Sequence, residues 1–157
     1  MRTLPLIFIG LTLAGCGGSS GSPAQAPLSK ADYVQQANAL CTTATTTLKG
    51  ITPPKSAAEL GPYLTKSLSA AQTATTGLAQ LKPPAADAKD LAAKFTDPLA
   101  KQVDAVKVLI PQYEQAAKAA DPKAAVAAIP RPPITPPDQA FVTGYGMTAC
   151  ATLATGK

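Results

Sequence analysis

Paired prolines recur along this chain at Pro53-Pro54, Pro83-Pro84, Pro132-Pro133 and Pro136-Pro137. Proline lacks a backbone donor and clashes with the preceding helical turn, yet it fits a helix's first turn, so such pairs mark helix boundaries. They divide the chain into four helical segments, near 29–51, 56–81, 85–120 and 137–155. The starts carry capping signals. Ser29 is followed by Asp32, and Ser56 by Glu59 in a capping box. Thr135-Pro136-Pro137-Asp138 places a cap, a first-turn proline and an acid in the order a helix start prefers. Asp121-Pro122 opens a short helical piece reaching Ile129.

Each segment has an apolar face at helical spacing. Val34, Ala37, Cys41, Ala44, Leu48 and Ile51 form the first seam, and Leu64, Leu68, Ala71, Thr75, Leu78 and Leu81 the second. In the third, Phe95, Leu99, Val103, Val106, Ile110, Tyr113 and Ala117 make one stripe. Its opposite side carries Asp97, Lys101, Glu114 and Lys118, whose acid-first spacing suits ion pairs along a solvated face. Pro98 and Pro111 are expected to kink this helix, and Pro62, next to Gly61, to bend the second.

The core that these seams can build is thin. Alanine accounts for 32 of the 157 residues, and from position 17 onward 31 larger apolar residues or cysteines remain. That supply, with 4% aromatic residues and no tryptophan, suits close helix contacts rather than a sheet sandwich. A weak 30-residue repeat relates Thr43-Ala44-Thr45-Thr46 to Thr73-Ala74-Thr75-Thr76, which supports two helices of similar length. Short connections favour antiparallel neighbours. The expectation is therefore an all-α domain over 29–157, an antiparallel up-down-up-down four-helix bundle with a kinked third helix. Its first and fourth helices would lie side by side in opposite directions.

The first residues have a different character. Arg2 precedes the apolar stretch from Leu4 to Leu13, which is too short for a ~30 Å hydrocarbon core and reads as an export signal. Leu13-Ala14-Gly15-Cys16 then resembles the lipobox of bacterial lipoproteins. That resemblance implies a signal peptide over 1–15, cleavage after Gly15 and a diacylglyceryl group on Cys16. More than one acyl chain anchors stably, where a single chain binds marginally. Residues 16–28, rich in Gly, Ser and Pro, read as a flexible tether. Within it, Gly17-Gly18-Ser19-Ser20-Gly21 matches a hydrolase nucleophile pattern, but the chain has no histidine to serve as its base.

If Cys16 carries lipid, Cys41 and Cys150 remain, and export would place them in an oxidising compartment. A structural bridge between them is expected. The alternatives are two free thiols or a metal pair, for which no histidine is at hand. The other distinctive run is Gly144-Tyr145-Gly146 near Cys150, where helix-disfavouring glycines suit either a small ligand notch beside Tyr145 or tight packing around a bridge. With its lipobox, its Ala-rich body, Tyr33 with Cys41 and Tyr145-Gly146 with Cys150, the whole chain resembles small helical lipoproteins of actinobacterial type. The family resemblance carries no activity.

The residue inventory excludes several chemistries. Without histidine there is no Ser-His or Cys-His nucleophile, and haem and copper lack a histidine ligand. No phosphate loop or calcium loop is present, so no cofactor, metal or catalytic residue is expected. The net charge of +5 is mild and mixed with acids, which argues against nucleic acid. The resulting expectation is a monomeric, non-enzymatic binding or interaction module, anchored through Cys16 to the extracytoplasmic face of the cell membrane. Its ligand or envelope protein partner is not specified. The competing readings are an accessory subunit of an envelope transporter or sensor, and a hydrolase using a carboxylate pair.

Overall fold

The structure is a computed structural model that describes residues 26–155. The signal peptide expected over 1–15, Cys16 and the tether as far as residue 25 lie outside the described residues. Within them the chain is all-helical, without a strand. No helix there is long and apolar enough to cross a membrane.

Helix α1 (Lys30–Lys49) starts at Ser29, whose hydroxyl accepts from the Asp32 N–H at 3.2 Å. Its innermost face is Tyr33, Ala37, Cys41 and Ala44, so the seam is rotated toward Tyr33 while Val34 and Leu48 are half-buried. Helix α2 (Ala57–Gln80) begins differently from the expected capping box. The Ser56 side chain makes no cap bond, and the Glu59 carboxylate instead accepts from the Lys55 N–H at 2.8 Å. The Leu28 N–H donates to the Lys82 carbonyl at 2.9 Å, so the start of α1 meets the end of α2 and the two are antiparallel. Gly77 admits this contact, since a Cβ there would lie 2.9 Å from Leu40.

The third segment is α3 (Ala88–Leu91), a π turn (Ala92–Thr96) and α4 (Asp97–Ala116), in one continuous run. Pro98 does not break it. Proline cannot donate to the carbonyl four residues back, and the π turn, in which the Asp97 N–H reaches the Ala92 carbonyl, absorbs the mismatch. The carbonyl thus left open is that of Lys94, and it accepts the backbone N–H of Asp138 at 2.8 Å. Pro111 lies inside α4 without ending it. The expected Asp97–Lys101 and Glu114–Lys118 ion pairs do not form. Among the described residues the ion pair is Lys94–Asp90, at 3.2 Å. The Glu114 side chain lies over Gly61 instead, where a Cβ would come 2.7 Å from its Cγ. The end of α4 therefore meets the start of α2, which makes this pair antiparallel as well.

Helix α5 (Pro122–Ala127) is capped by Asp121, which accepts from the Ala124 N–H at 3.0 Å. It packs against α2 and α4. Residues 130–138 then carry no regular structure. Helix α6 (Gln139–Tyr145) is capped by Asp138 rather than Thr135, with the Phe141 N–H donating to Asp138 at 3.0 Å. It stops at Gly146, in the left-handed region with φ 102°. The Met147 N–H reaches the Val142 carbonyl at 3.0 Å, closing the helix in a Schellman arrangement. Helix α7 (Thr148–Thr155) follows. The single fourth helix expected over 137–155 is thus two helices.

Their direction also corrects the expected topology. Tyr33 meets Tyr145, with ring centroids 6.3 Å apart, Asn38 meets Gly146 and Ala149, and Cys41 meets Cys150. Both numbers rise together, so the last helices run parallel to α1, not antiparallel. The reason lies in the proline-rich segment 130–138. Nine extended residues span ~28 Å at polyproline spacing. That is close to the ~30 Å of the twenty residues of α4. The segment returns the chain to Lys94 without a descending helix, and the final helices climb again.

The core is made by Tyr33, Ala37, Cys41, Leu78, Leu91, Phe95, Leu99, Val142, Tyr145, Met147 and Cys150. Phe95 is fully buried, a contribution of about 1.5–3 kcal/mol for a side chain of its class. Among the described residues, no charged or polar residue is buried as a whole.

Candidate functional site

The Sγ atoms of Cys41 and Cys150 are 2.04 Å apart and their Cα atoms 5.0 Å apart, joining α1 to α7. Both residues are buried in the core. Asn38 reinforces the junction from one turn earlier. Its amide donates to the Gly146 carbonyl at 2.9 Å and accepts from the Ala149 N–H at 3.0 Å. One side chain thereby satisfies both backbone ends of the break between α6 and α7.

The structure places Tyr145 within packed rings. Tyr33 meets it edge-on, Phe141 lies 5.7 Å away at a 31° tilt, and the Lys30 ammonium stands 4.2 Å from its ring centre. Its hydroxyl donates to Asp87 at 2.6 Å. Burial first, then this bond and the Asp87 charge, push its pKa well above the ordinary tyrosine value. Burial also raises that of Tyr33. Gly146 supplies the left-handed turn, and a Cβ there would lie 3.4 Å from Val34. A Cβ at Gly144 would meet nothing within 4 Å. Gly144, Tyr145 and Gly146 line neither of the clefts described next.

The larger cleft, of ≈ 480 Å³, lies elsewhere, where the last turns of α1 and α7 meet α2 and α4. Its walls include Leu48, Leu64, Leu68, Leu99, Val103, Val106 and Leu153. Around them stand Thr45, Lys49, Tyr63, Ser67, Ala71, Gln102 and Thr152. Several of these belong to the seams read from the sequence, but their contact is incomplete. Leu48, Leu64, Val106 and Leu153 are half-buried. Helix α7 has eight residues, against twenty for α4, and Ala71 is too short to fill the gap. A second cleft of ≈ 320 Å³, under the Gly50–Pro54 connection, shares Tyr63 with the first.

Two polar features distinguish the larger cleft. The first is Ser67, whose Oγ is shielded from solvent and has no hydrogen-bond partner. Its helical neighbours behave otherwise: Thr65, Thr73 and Thr75 of α2 each donate to the carbonyl four residues back. A shielded polar atom without a partner costs about 1–3 kcal/mol, so such atoms are rare in native structures. The second is Lys49, exposed at the rim and without an ion pair among the described residues. No carboxylate lines the cleft. Asp87 is half-buried and the other carboxylates are exposed, so no acid pair faces this space.

An apolar space of this size, with a few polar groups at fixed places, is what small-molecule sites are made of, since ordinary ones span roughly 300–1,000 Å³. Sequence periodicity could not reveal it, because a residue facing a gap and one facing a partner helix have the same spacing. Among the described residues, no cluster of three potential metal ligands occurs. Comparison with protein-family models, curated proteins and solved structures finds nothing that matches this chain.

Proposed function

We propose that this protein is an exported, lipid-anchored binding module that holds a small apolar ligand in the cleft between α1, α2, α4 and α7 and performs no catalysis. The cleft is the observation that carries the reading: ≈ 480 Å³ between four helices, with leucine and valine making half of its lining. The anchor is read from Leu13-Ala14-Gly15-Cys16, and the Gly-, Ser- and Pro-rich stretch after it would tether the domain to the bilayer up to Leu28, which docks on Lys82. The disulfide junction of α1 and α7 suits an oxidising, extracytoplasmic setting. The absence of histidine and of acids around the cleft supports binding without turnover.

Titration of the full chain with a neutral apolar dye tests the binding role. One dye per chain is expected, with Ala71→Trp abolishing its uptake while the helical circular dichroism is retained. Dye uptake unchanged by Ala71→Trp would remove the cleft from the account. Metabolic labelling with radioactive palmitate tests the anchor: label and membrane association are expected for the natural chain and lost in Cys16→Ser. Membrane association retained without label would overturn that part.

A further inference from the structure

We infer that the cleft takes a single-chain anionic amphiphile, with its acyl chain along the Leu64, Leu68 and Val103 walls and its acidic head at Lys49. The inference rests on the cleft being a ligand site, and three observations shape it. The first is volume. An apolar cavity of ~150 Å³ holds one six-carbon ring, which makes one of three times that volume suited to about eighteen carbons. At ≈ 480 Å³ the cleft therefore matches one long acyl chain and not the two of a membrane diacyl lipid.

The second is charge. Lys49 is the one charged residue lining the cleft. It ends α1, is exposed, and has no ion-pair partner among the described residues. An ammonium at an apolar rim with no carboxylate beside it selects an anion over a neutral or cationic head, because the competing heads gain nothing from it. The third is Ser67. Since α1 and α2 are antiparallel, the end of α1 faces the first half of α2, and Ser67 lies one helical turn beyond Tyr63. Its hydroxyl lacks the backbone partner that its threonine neighbours use. It is available to a head-group oxygen once the side chain rotates, and such bonds fix orientation in apolar sites.

The test is calorimetric titration of the full chain carrying Cys16→Ser at pH 8, with palmitate, hexadecanol and butyrate below their micelle concentrations. Native mass spectrometry supplies the stoichiometry. One palmitate per chain is expected, bound at least fivefold more tightly than hexadecanol, with no binding of butyrate. Lys49→Gln should reduce that preference to within twofold by weakening palmitate. Lys49 is exposed at a helix end, so this variant is expected to fold, and circular dichroism checks that it does. Ser67→Ala should weaken palmitate further. Equal binding of palmitate and hexadecanol, or a preference unchanged in Lys49→Gln, overturns the anionic head while leaving the binding module intact. Tighter binding of dipalmitoyl phosphatidate than of palmitate overturns the single chain. If neither palmitate nor hexadecanol binds and the neutral dye also fails, the proposed function falls with it.

Discussion

The backbone N–H of Asp138 donates to the carbonyl of Lys94 at 2.8 Å, and that carbonyl is open because Pro98 has no hydrogen to give it. A residue that disfavours helices thus creates the docking point for the start of α6. It fixes where the proline-rich return ends, and so the direction of the last two helices. The Asp138 amide should exchange with solvent as slowly as core helical amides, although an irregular segment precedes it. Pro98→Ala restores a competing donor, and protection at Asp138 should then fall at least tenfold in amide exchange measured by NMR. Unchanged protection would separate Pro98 from the docking.

The Cys41–Cys150 bridge closes 109 residues of chain. The chain-entropy model assigns up to about 4.7 kcal/mol to a loop of this size, and measured losses for native bridges run at 2–5 kcal/mol. The double variant Cys41→Ala with Cys150→Ala should lose stability in that range by urea unfolding. Reductant should destabilise the natural chain similarly and leave the double variant unaffected.

The two glycines of the Gly144-Tyr145-Gly146 run should respond oppositely to alanine. Gly144 is helical with open space around it, so Gly144→Ala should stabilise by roughly 0.5–1 kcal/mol. Gly146 has φ 102°, so Gly146→Ala should destabilise by roughly 1–2 kcal/mol. Thermal unfolding of both variants checks the sign of each change.

Tyr145 and Asp87 couple α6 to the start of the third segment. Tyr145→Phe removes a bond to a carboxylate and should destabilise by about 1–2 kcal/mol near neutral pH. The folded state holds the phenol proton more tightly than the unfolded chain, so this stabilisation is complete below about pH 10 and is lost as pH rises through the elevated folded value. Absorbance titration of the phenolates should show late-titrating phenols at both Tyr33 and Tyr145, and one fewer in Tyr145→Phe. In that variant, stability should also fall less steeply above pH 10.

Much of the helical framework was legible in the sequence because its signals are local. Ser29, Asp121 and the paired prolines act within one turn of where they stand, and the seams of α1, α2 and α4 follow from spacing. Topology was not legible. The antiparallel expectation assumed a short link before the last helix, whereas nine residues running from Pro130 to Asp138 cross back over the length of α4. The way Pro98 is accommodated is not legible for a related reason: the donor that takes the carbonyl it leaves open lies 40 residues away from it, at Asp138. The Gly144-Tyr145-Gly146 run suggests a notch or tight packing, but the Tyr145–Asp87 bond joins positions with no local signal. The cleft is hidden because Leu64 and Leu68 share one face of α2, yet Leu68 is buried and Leu64 only half-buried.

Methyl NMR reads ligand occupancy of this cleft residue by residue. With the leucine and valine methyls labelled, palmitate should shift Leu48, Leu64, Leu68, Val103 and Leu153 together, saturating at one equivalent and leaving Leu91 and Val142 of the core in place. Shifts that are absent, that scatter over the surface without saturating, or that centre on the proline-rich return would contradict that occupancy.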